Sequence, residues 1–365
     1  MTSASLLAPV CIGFNGLTVA RKTTWQPASA CVGQHDPQMN DSPGFGGAWI
    51  YPRRFETLPT PPGAKDTQGR PLPTNVKAGE VGSRVILWAH GSAFAITQAL
   101  DFVWLFGQML SEQTGQVVLL AEYGLTSGTV HPQQLERWCR TYATLCELYG
   151  ANNVVLAGDS AGGCLSLATL LNTSATLPPP AALVLFSPWV DLRDDALLSV
   201  SMAEYPPEKG GLLRYGDCDY LPTKAVLKTS YAYASSKDRD EPLVSPSTAN
   251  DAQLKALGRQ AMGVDGLPYT TRMFITWGGS EILKDQAMGM AARLSGVGLD
   301  VTTYAAEKMP HDSAVVAAGL IYNTGLGFLG VGDYSQFEPT RTWAQFLTWL
   351  KSVPGWEGTK VPDGW

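Results

Sequence analysis

From about Arg84 onward, short apolar runs alternate with longer segments of helical periodicity. The runs have the length of strands, and they are apolar throughout, as in strands that are covered on both faces. Six strands are predicted, with the sequences RVILWAH, QVVLLAEY, NVVLAG, ALVLFSP, RMFITWG and DVTTYAA. Because helical patterns separate them, the fold class is α/β, with a mostly parallel central sheet flanked by helices.

Four helices are predicted between these strands, with the sequences DFVWLFGQMLSEQ, PQQLERWCRTYATLCELYG, GGCLSLATLL and KDQAMGMAARLSGVG. In the second, apolar residues recur at three- and four-residue steps from Leu135 to Tyr149, which predicts one buried face. Pro132 suits the first turn of this helix and Gly150 its end.

Two regions depart from the alternation. Residues 1–80 are rich in proline, glycine and polar residues, and they predict an irregular lead-in that forms part of a cap and holds one or two edge strands. Residues 191–246 offer helical patches and aromatic residues but no strand, which is typical of a cap inserted into an α/β core. The core is then predicted to consist of residues 81–190 and 247–365.

Composition narrows the range of partners. The chain has 26 basic and 32 acidic residues and a net charge of −6, with no long run of either sign, which disfavours binding to nucleic acid. The short N-terminal apolar run is interrupted by Pro9 and predicts no membrane span. Six cysteines without a CxxC pair favour a reducing, cytoplasmic location. We expect no metal ion or cofactor. A homodimer is compatible with the sequence but is not indicated by any motif.

The segment NVVLAGDSAGGCLSLATLL places Ser160 where a strand turns into a helix, with Gly158 two positions before it and Gly162 two positions after it. Such a sharp turn strains its central residue and crowds the positions two away, which favours glycine there. The turn also brings the serine hydroxyl to a helix N-terminus, where N–H groups favour negative charge. Ser160 is either a helix cap or a nucleophile.

Other motifs favour the nucleophile. The loop WAHGSAF follows the first predicted strand, and its N–H groups at Gly91 and Ser92, with that of Ala161, are candidates for an oxyanion hole. An ordinary turn is the alternative for this loop.

A general base and an acid follow later strands. His311 lies a few residues after the last predicted strand, where a loop can bring its imidazole over the sheet as a general base. Glu281 follows the strand RMFITW and is the preferred acid for orienting that imidazole, with Asp285 as the alternative. The chain order of serine, acid and histidine is that of α/β-hydrolases.

These motifs resemble the hormone-sensitive-lipase-like branch of the α/β-hydrolases and, within it, fungal esterases related to steryl acetyl hydrolase. The resemblance is carried by HGSAF, GDSAGG, SPWVDL, EPLVSP, EILKDQ and PHD, between Arg84 and Asp312. This chain has Ser92 and Ala93 in place of two glycines of the oxyanion loop, and Asp312 in place of a glycine that often follows the histidine. Glu281 stands where the branch usually has aspartate.

The resemblance and the motifs imply a serine carboxylesterase that forms an acyl-enzyme on Ser160. The expected substrate is a hydrophobic small molecule that carries an acetyl ester or a lactone. One alternative is a tailoring enzyme of secondary metabolism that uses the same triad for cyclisation, acyl transfer or carbon–carbon cleavage. A non-catalytic ligand-binding receptor is less expected because His311 is present.

Overall fold

A computed structural model describes residues 25–27, 47–64, 70–102, 106–196, 219–317 and 337–362. Ten strands lie within these ranges: β1 (Trp25–Pro27), β2 (Gly47–Ile50), β3 (Val85–Ala89), β4 (Val117–Ala121), β5 (Val154–Asp159), β6 (Ala182–Phe186), β7 (Ala261–Met262), β8 (Pro268–Tyr269), β9 (Arg272–Gly278) and β10 (Val301–Ala306). β7 and β8 form a separate two-stranded hairpin, and the other eight strands form one sheet.

The order of strands in the main sheet is β1-β2-β4-β3-β5-β6-β9-β10. The six strands from β4 to β10 in this order are parallel to one another, whereas β1 and β2 are antiparallel at one edge. The six predicted strands and the predicted mostly parallel sheet are thus confirmed. Because parallel strands end at the same edge, the loops after β3, β5, β6, β9 and β10 leave the sheet on one side.

Eight helices lie wholly within the described ranges: α1 (Ala99–Phe102), α2 (Gln108–Thr114), α3 (Gln133–Tyr149), α4 (Ser160–Thr173), α5 (Thr223–Tyr233), α6 (Asp251–Ala256), α7 (Lys284–Gly296) and α8 (Glu338–Lys351). Residues 194–196 and 313–317 are also helical and lie at the edges of these ranges. The predictions of α3, α4 and α7 are confirmed, and α3 follows Pro132 directly and ends at Gly150. The first predicted helix corresponds to α1 and α2, with residues 103–105 outside the described ranges.

Strands β3, β4, β5 and β6 are buried on both faces of the sheet, which explains why they are apolar throughout. The edge strand β10 is partly exposed and carries two threonines, because nothing pairs with its outer side among the described residues. Along β3 the side chains of Val85, Leu87 and Ala89 belong to one core cluster, and those of Ile86 and Trp88 to the other. Helices α3, α4 and α7 supply apolar side chains to the first cluster, whereas α2 and α8 cover the opposite face.

Aromatic rings fill the core beneath α8. The ring centroids of Trp88 and Phe186 are 5.5 Å apart, and those of Phe186 and Trp343 are also 5.5 Å apart. Phe346 completes the group, with its ring 5.4 Å from Phe186 and 5.8 Å from Phe274. These contacts fix α8 against the strands that carry the site loops.

The two predicted cap regions contain different secondary structure in their described parts. Residues 191–196 and 219–246 hold α5 and short turns, and no strand is described among them, while residues 197–218 lie outside the described ranges. The ring of Tyr233, at the end of α5, stacks on Phe94 with a centroid distance of 3.8 Å. From residues 1–80 the structure describes the edge strands β1 and β2, residues 51–64 and residues 70–80, and the rest of the predicted lead-in lies outside.

No helix in the described ranges combines the length and the apolar character that crossing a membrane requires. Cys139, Cys146 and Cys164 are unpaired, and Cys164 is fully buried. The other three cysteines lie outside the described residues.

Replacement of Phe346 by alanine is expected to lower the free energy of unfolding by about 3–5 kcal/mol, because the ring is fully buried among other rings. The neighbouring Gln345 is exposed on the same helix, so Gln345→Ala should change that free energy by less than about 0.5 kcal/mol. Denaturant unfolding of both variants measures the difference. Equal effects at the two positions would contradict the packing described for α8.

Candidate active site

The turn between β5 and α4 has the geometry that its glycines predict. Ser160 follows Asp159 directly and has φ +51°, in the left-handed region that side chains rarely occupy. A Cβ atom on Gly158 would lie 2.5 Å from the backbone carbon of Gly162. A Cβ atom on Gly162 would lie 2.0 Å from the carbonyl oxygen of Ala89. Both glycines are therefore required by close approach of backbone.

The loop after β3 turns in a left-handed sense. Ser92, Ala93 and Phe94 have φ values of +77°, +53° and +62°, and the Ala95 N–H donates to the carbonyl of Ser92 at 3.0 Å. Each such residue costs roughly 1–2 kcal/mol when it carries a side chain. The Ser92 hydroxyl lies 2.5 Å from that of Thr97, a contact that holds the turn.

The three amides proposed for an oxyanion hole differ in their surroundings. Gly91 lies against the Asp159 carboxylate, since a Cβ atom added to it would be 2.3 Å from Oδ2 of Asp159. Ala161 is in the first turn of α4, where N–H groups have no partner within the helix. Among the backbone hydrogen bonds of the described residues, none has the N–H of Gly91, Ser92 or Ala161 as donor.

Glu281 and His311 meet in the buried space beyond the strand ends. Glu281 follows β9 and His311 follows β10, and the two side chains approach to 3.5 Å between Oε2 and Nδ1. Asp285, the alternative acid, is exposed on α7. Of the two acids, Glu281 is the one beside the imidazole.

The Glu281 carboxylate is held by other donors. Its Oε2 accepts the Ser187 hydroxyl at 2.6 Å and the Gly278 N–H at 3.1 Å. Burial raises the pKa of Glu281, while the nearby His311 imidazole and the hydrogen bond from Ser187 act in the opposite direction. Ser187 follows β6 within SPWVDL, and no pattern in the sequence indicates this contact.

The other imidazole nitrogen faces a second carboxylate. Nε2 of His311 lies 3.0 Å from Oδ2 of Asp312. Among the described residues, Asp312 is the group whose polar contact with Nε2 the structure shows. Burial lowers the pKa of His311, but the carboxylates of Asp312 and Glu281 outweigh it and raise that pKa well above its ordinary value.

Asp159 places a further buried carboxyl group beside Ser160. Its Oδ1 accepts the indole N–H of Trp88 at 2.7 Å. Burial raises the pKa of Asp159 well above its ordinary value, and the Asp312 carboxylate raises it further. No sequence pattern distinguishes the aspartate before Ser160 from an ordinary residue at the end of a strand.

Asp219, from the predicted cap, is tied to both site loops. Its Oδ2 accepts the N–H of Ile282 at 2.7 Å, and its Oδ1 accepts the N–H of His311 at 3.4 Å. The side chain is buried. Because these partners lie more than sixty positions away in the sequence, no local pattern could have identified Asp219.

The chain matches a known protein family over most of the segment that carries these motifs. Residues 86–315, more than half of the chain, match the family model described as the alpha/beta hydrolase fold. The chain belongs to the α/β-hydrolase family. In the described part of this hydrolase, no group of three or more histidine, cysteine, aspartate and glutamate side chains could hold a metal ion.

Relatives of this α/β-hydrolase have names of esterases and acetyl-hydrolases. It is 28% identical over 251 residues to an acetyl-hydrolase of Streptomyces hygroscopicus, covering 68% of this chain and 74% of the relative. It is similar in structure to a hormone-sensitive-lipase homologue from a metagenome library, with a TM-score of 0.60 and 20% identity, over 89% of this chain and 91% of the other. A carboxyl esterase of the fungus Tuber melanosporum gives a TM-score of 0.57 at 18% identity, over 83% and 82% of the two chains.

These comparisons confirm the predicted fold and place the chain among the esterase- and lipase-type α/β-hydrolases. The narrower resemblance to fungal steryl acetyl hydrolase stays a prediction.

Where the related branch has glycine, this hydrolase keeps the left-handed backbone without it. Ser92, Ala93 and Asp312 have φ values of +77°, +53° and +52°. All three positions thus have the backbone conformation that glycine adopts most readily, and each carries a side chain instead. Asp312 adds a charge.

Replacement of Gly162 by alanine is expected to destabilise the protein by about 1–3 kcal/mol or more and to abolish activity, because the new Cβ meets backbone that cannot yield. Gly289, in the middle of α7, has nothing within 4 Å of an added Cβ. Gly289→Ala should therefore raise the free energy of unfolding by about 0.5–1 kcal/mol. Thermal unfolding of both variants makes the comparison, and a Gly162→Ala enzyme with normal stability would contradict the tight turn.

Proposed function

We propose that this hydrolase is a serine carboxylesterase in which Ser160 is the nucleophile, His311 the general base and Glu281 the group that orients it. The observation that carries the proposal is the buried pair of His311 and Glu281 at the strand edge where the strained Ser160 stands. A strained serine, a base and an orienting acid are the parts that acyl transfer needs.

In the proposed reaction, Nε2 of His311 takes the proton of the Ser160 hydroxyl while Oγ attacks the ester carbonyl carbon. The carbonyl electrons move to the oxygen, which accepts hydrogen bonds from the N–H groups of Gly91, Ser92 and Ala161. His311 then gives its proton to the leaving alcohol. Water attacks the resulting acyl-enzyme by the same route, with His311 again as base.

Electrostatics support these roles. An oxyanion donor is worth about 2.7–4 kcal/mol in the transition state. The positive end of the α4 dipole lies at Ser160 and adds to the field of the N–H groups proposed to bind the oxyanion. The Glu281 carboxylate stabilises the imidazolium that forms in each half of the reaction.

For the substrate, we propose an acetyl ester or a lactone of a hydrophobic small molecule. Support comes from the relatives named acetyl-hydrolase and from aromatic side chains near the base. The half-exposed Tyr220 has its ring centroid 6.3 Å from that of His311. We further propose that residues 191–246 and part of residues 1–80 form a cap over the site, supported by the link from Asp219 to both site loops. A cytoplasmic location and a homodimer stay predictions.

Replacement of Ser160 by alanine is expected to lower the hydrolysis of p-nitrophenyl acetate by more than about a thousand-fold, because no other group can form the acyl-enzyme. A fluorophosphonate probe should label the wild-type protein at Ser160 and leave the variant unlabelled. Ser174→Ala, at the far end of α4, serves as the matched control and should keep full activity. Substantial turnover by the Ser160→Ala enzyme would refute the mechanism.

Replacement of Glu281 by glutamine is expected to lower kcat by about 100- to 10,000-fold, because an amide can donate to Nδ1 and impose the wrong tautomer. Asp285→Asn removes a carboxylate from the exposed alternative position and should change kcat less than about two-fold. Steady-state kinetics of the two variants decide between the acids. The reverse order of effects would assign the role to Asp285.

A further inference from the structure

The Nε2 nitrogen of His311 already has a partner in this structure. Its distance to Asp312 Oδ2 is 3.0 Å, whereas Nδ1 lies 3.5 Å from Glu281 Oε2. The first distance is that of an ordinary hydrogen bond, and the second is beyond the usual range. The imidazole is therefore held more closely by Asp312 than by its orienting acid.

This contact leaves Nε2 unable to act as a base. If Asp312 is a carboxylate it only accepts, so Nε2 must carry the shared proton, whether His311 is the imidazolium or the neutral tautomer protonated at Nε2. If Asp312 is protonated, it donates to Nε2 and occupies the same lone pair. In every protonation state that keeps the contact, Nε2 cannot accept the proton of Ser160.

The Asp312 side chain has few other ties. Its Oδ1 is buried and has no hydrogen-bond partner within the described ranges. Its backbone N–H donates to the Ser187 hydroxyl at 3.2 Å, and that hydroxyl is bound to Glu281. The main chain is thus anchored to the site, while the carboxylate is held through His311. Rotation of this one side chain would free Nε2 without moving the loop.

We propose that Asp312 is a positioning residue that latches the His311 imidazole in the resting enzyme, and that it must leave Nε2 before Ser160 can transfer its proton. This inference rests on the proposed function, since it takes His311 as the base. The resting form is the imidazolium, which carries a proton on each ring nitrogen. On release, its Nε2 proton passes to the Asp312 carboxylate and from there to solvent, while Nδ1 keeps its own proton toward Glu281. Nε2 is left with the lone pair that accepts the proton of Ser160.

The surroundings give the latch a pH dependence. Acidic or phenolic side chains reach the His311 residue from each element packed around it: Glu281, Asp312, Asp159, Asp219 and Tyr220. Burial lowers the pKa of His311, and Asp312, followed by Glu281, more than reverses this effect. Because a neighbouring negative charge favours the imidazolium, removal of the Asp312 charge lowers the pKa of His311. The base is then neutral at lower pH.

The test compares Asp312→Gly and Asp312→Asn with the wild type. Glycine fits the φ of +52° at this position and removes the side chain, whereas asparagine keeps its size and removes the charge. For the wild type, we measure kcat/KM for p-nitrophenyl acetate against pH. We expect the apparent pKa of the acidic limb of this profile to lie above the ordinary histidine pKa of about 6.5. In both variants the limb should move to lower pH by about one unit or more.

Glu307→Gln is the matched control, since it removes an exposed carboxylate from the same loop and should leave the profile in place. A purely structural role of Asp312 would lower the rate at every pH without moving the limb. An unmoved limb in Asp312→Asn and Asp312→Gly would overturn the proposal. If the glycine variant does not fold, the shift of the acidic limb is measured on the asparagine variant alone.

A second measurement separates this inference from the proposed function. The pKa of His311 can be titrated by NMR with ¹³C-labelled histidine, assigned by a His311→Gln variant, in the Ser160→Ala background. We expect a raised pKa that falls when Asp312 is replaced, whatever the protein hydrolyses. Turnover by Ser160→Ala would refute the esterase mechanism alone, whereas an unchanged His311 pKa on replacement of Asp312 would refute the latch alone.

Discussion

The site depends on one packing constraint, the direct contact between the first turn of α4 and the ends of β3 and β5. Gly162 stands against the carbonyl of Ala89, and Gly158 stands against Gly162, with no space for a Cβ at either position. That contact forces Ser160 into a left-handed backbone and sets its distance from the loop after β3. The register of the parallel strands then brings the loops after β9 and β10 to the same edge.

A second feature is the density of buried charge at this edge. Glu281, Asp312 and Asp159 lie around the imidazole of His311, and all four side chains are buried. Charges in such a place interact far more strongly than at a surface. The carboxylates of Asp312 and Glu281 therefore raise the pKa of His311 well above its ordinary value in spite of its burial. In the mechanism proposed above the imidazole must be neutral to accept a proton, so these carboxylates oppose the form that the reaction needs.

The contact of Asp219 with the loops of Glu281 and His311 connects the predicted cap to the acid and the base. A buried carboxylate that accepts backbone N–H groups positions both loops at once. The position of Asp219 is therefore coupled through these two hydrogen bonds to the loops that carry Glu281 and His311.

The sequence by itself determined the elements, the order of the motifs and the residues at the ends of the strands. Apolar runs have to be buried on both faces, and the glycines around Ser160 indicate a turn that other residues cannot make, so these features are local and readable. The distinction between Glu281 and Asp285 also followed from position in the chain, and the proximity of Glu281 to His311 agrees with it.

Only the tertiary structure decided the partners of the imidazole and of the amides. Asp159, Ser187 and Asp219 make contacts across the ends of different strands, and the chain separations carry no periodic signal. Asp312 is next to His311 in the chain, but the direction of its side chain toward Nε2 is not readable from that position. The approach of the Asp159 carboxylate to Gly91 is likewise a contact between two loops. A sequence specifies which strands end in polar residues, but the side-chain directions at a shared edge are set by packing, and that is why Nε2 of His311 was expected at Ser160 and is found at Asp312.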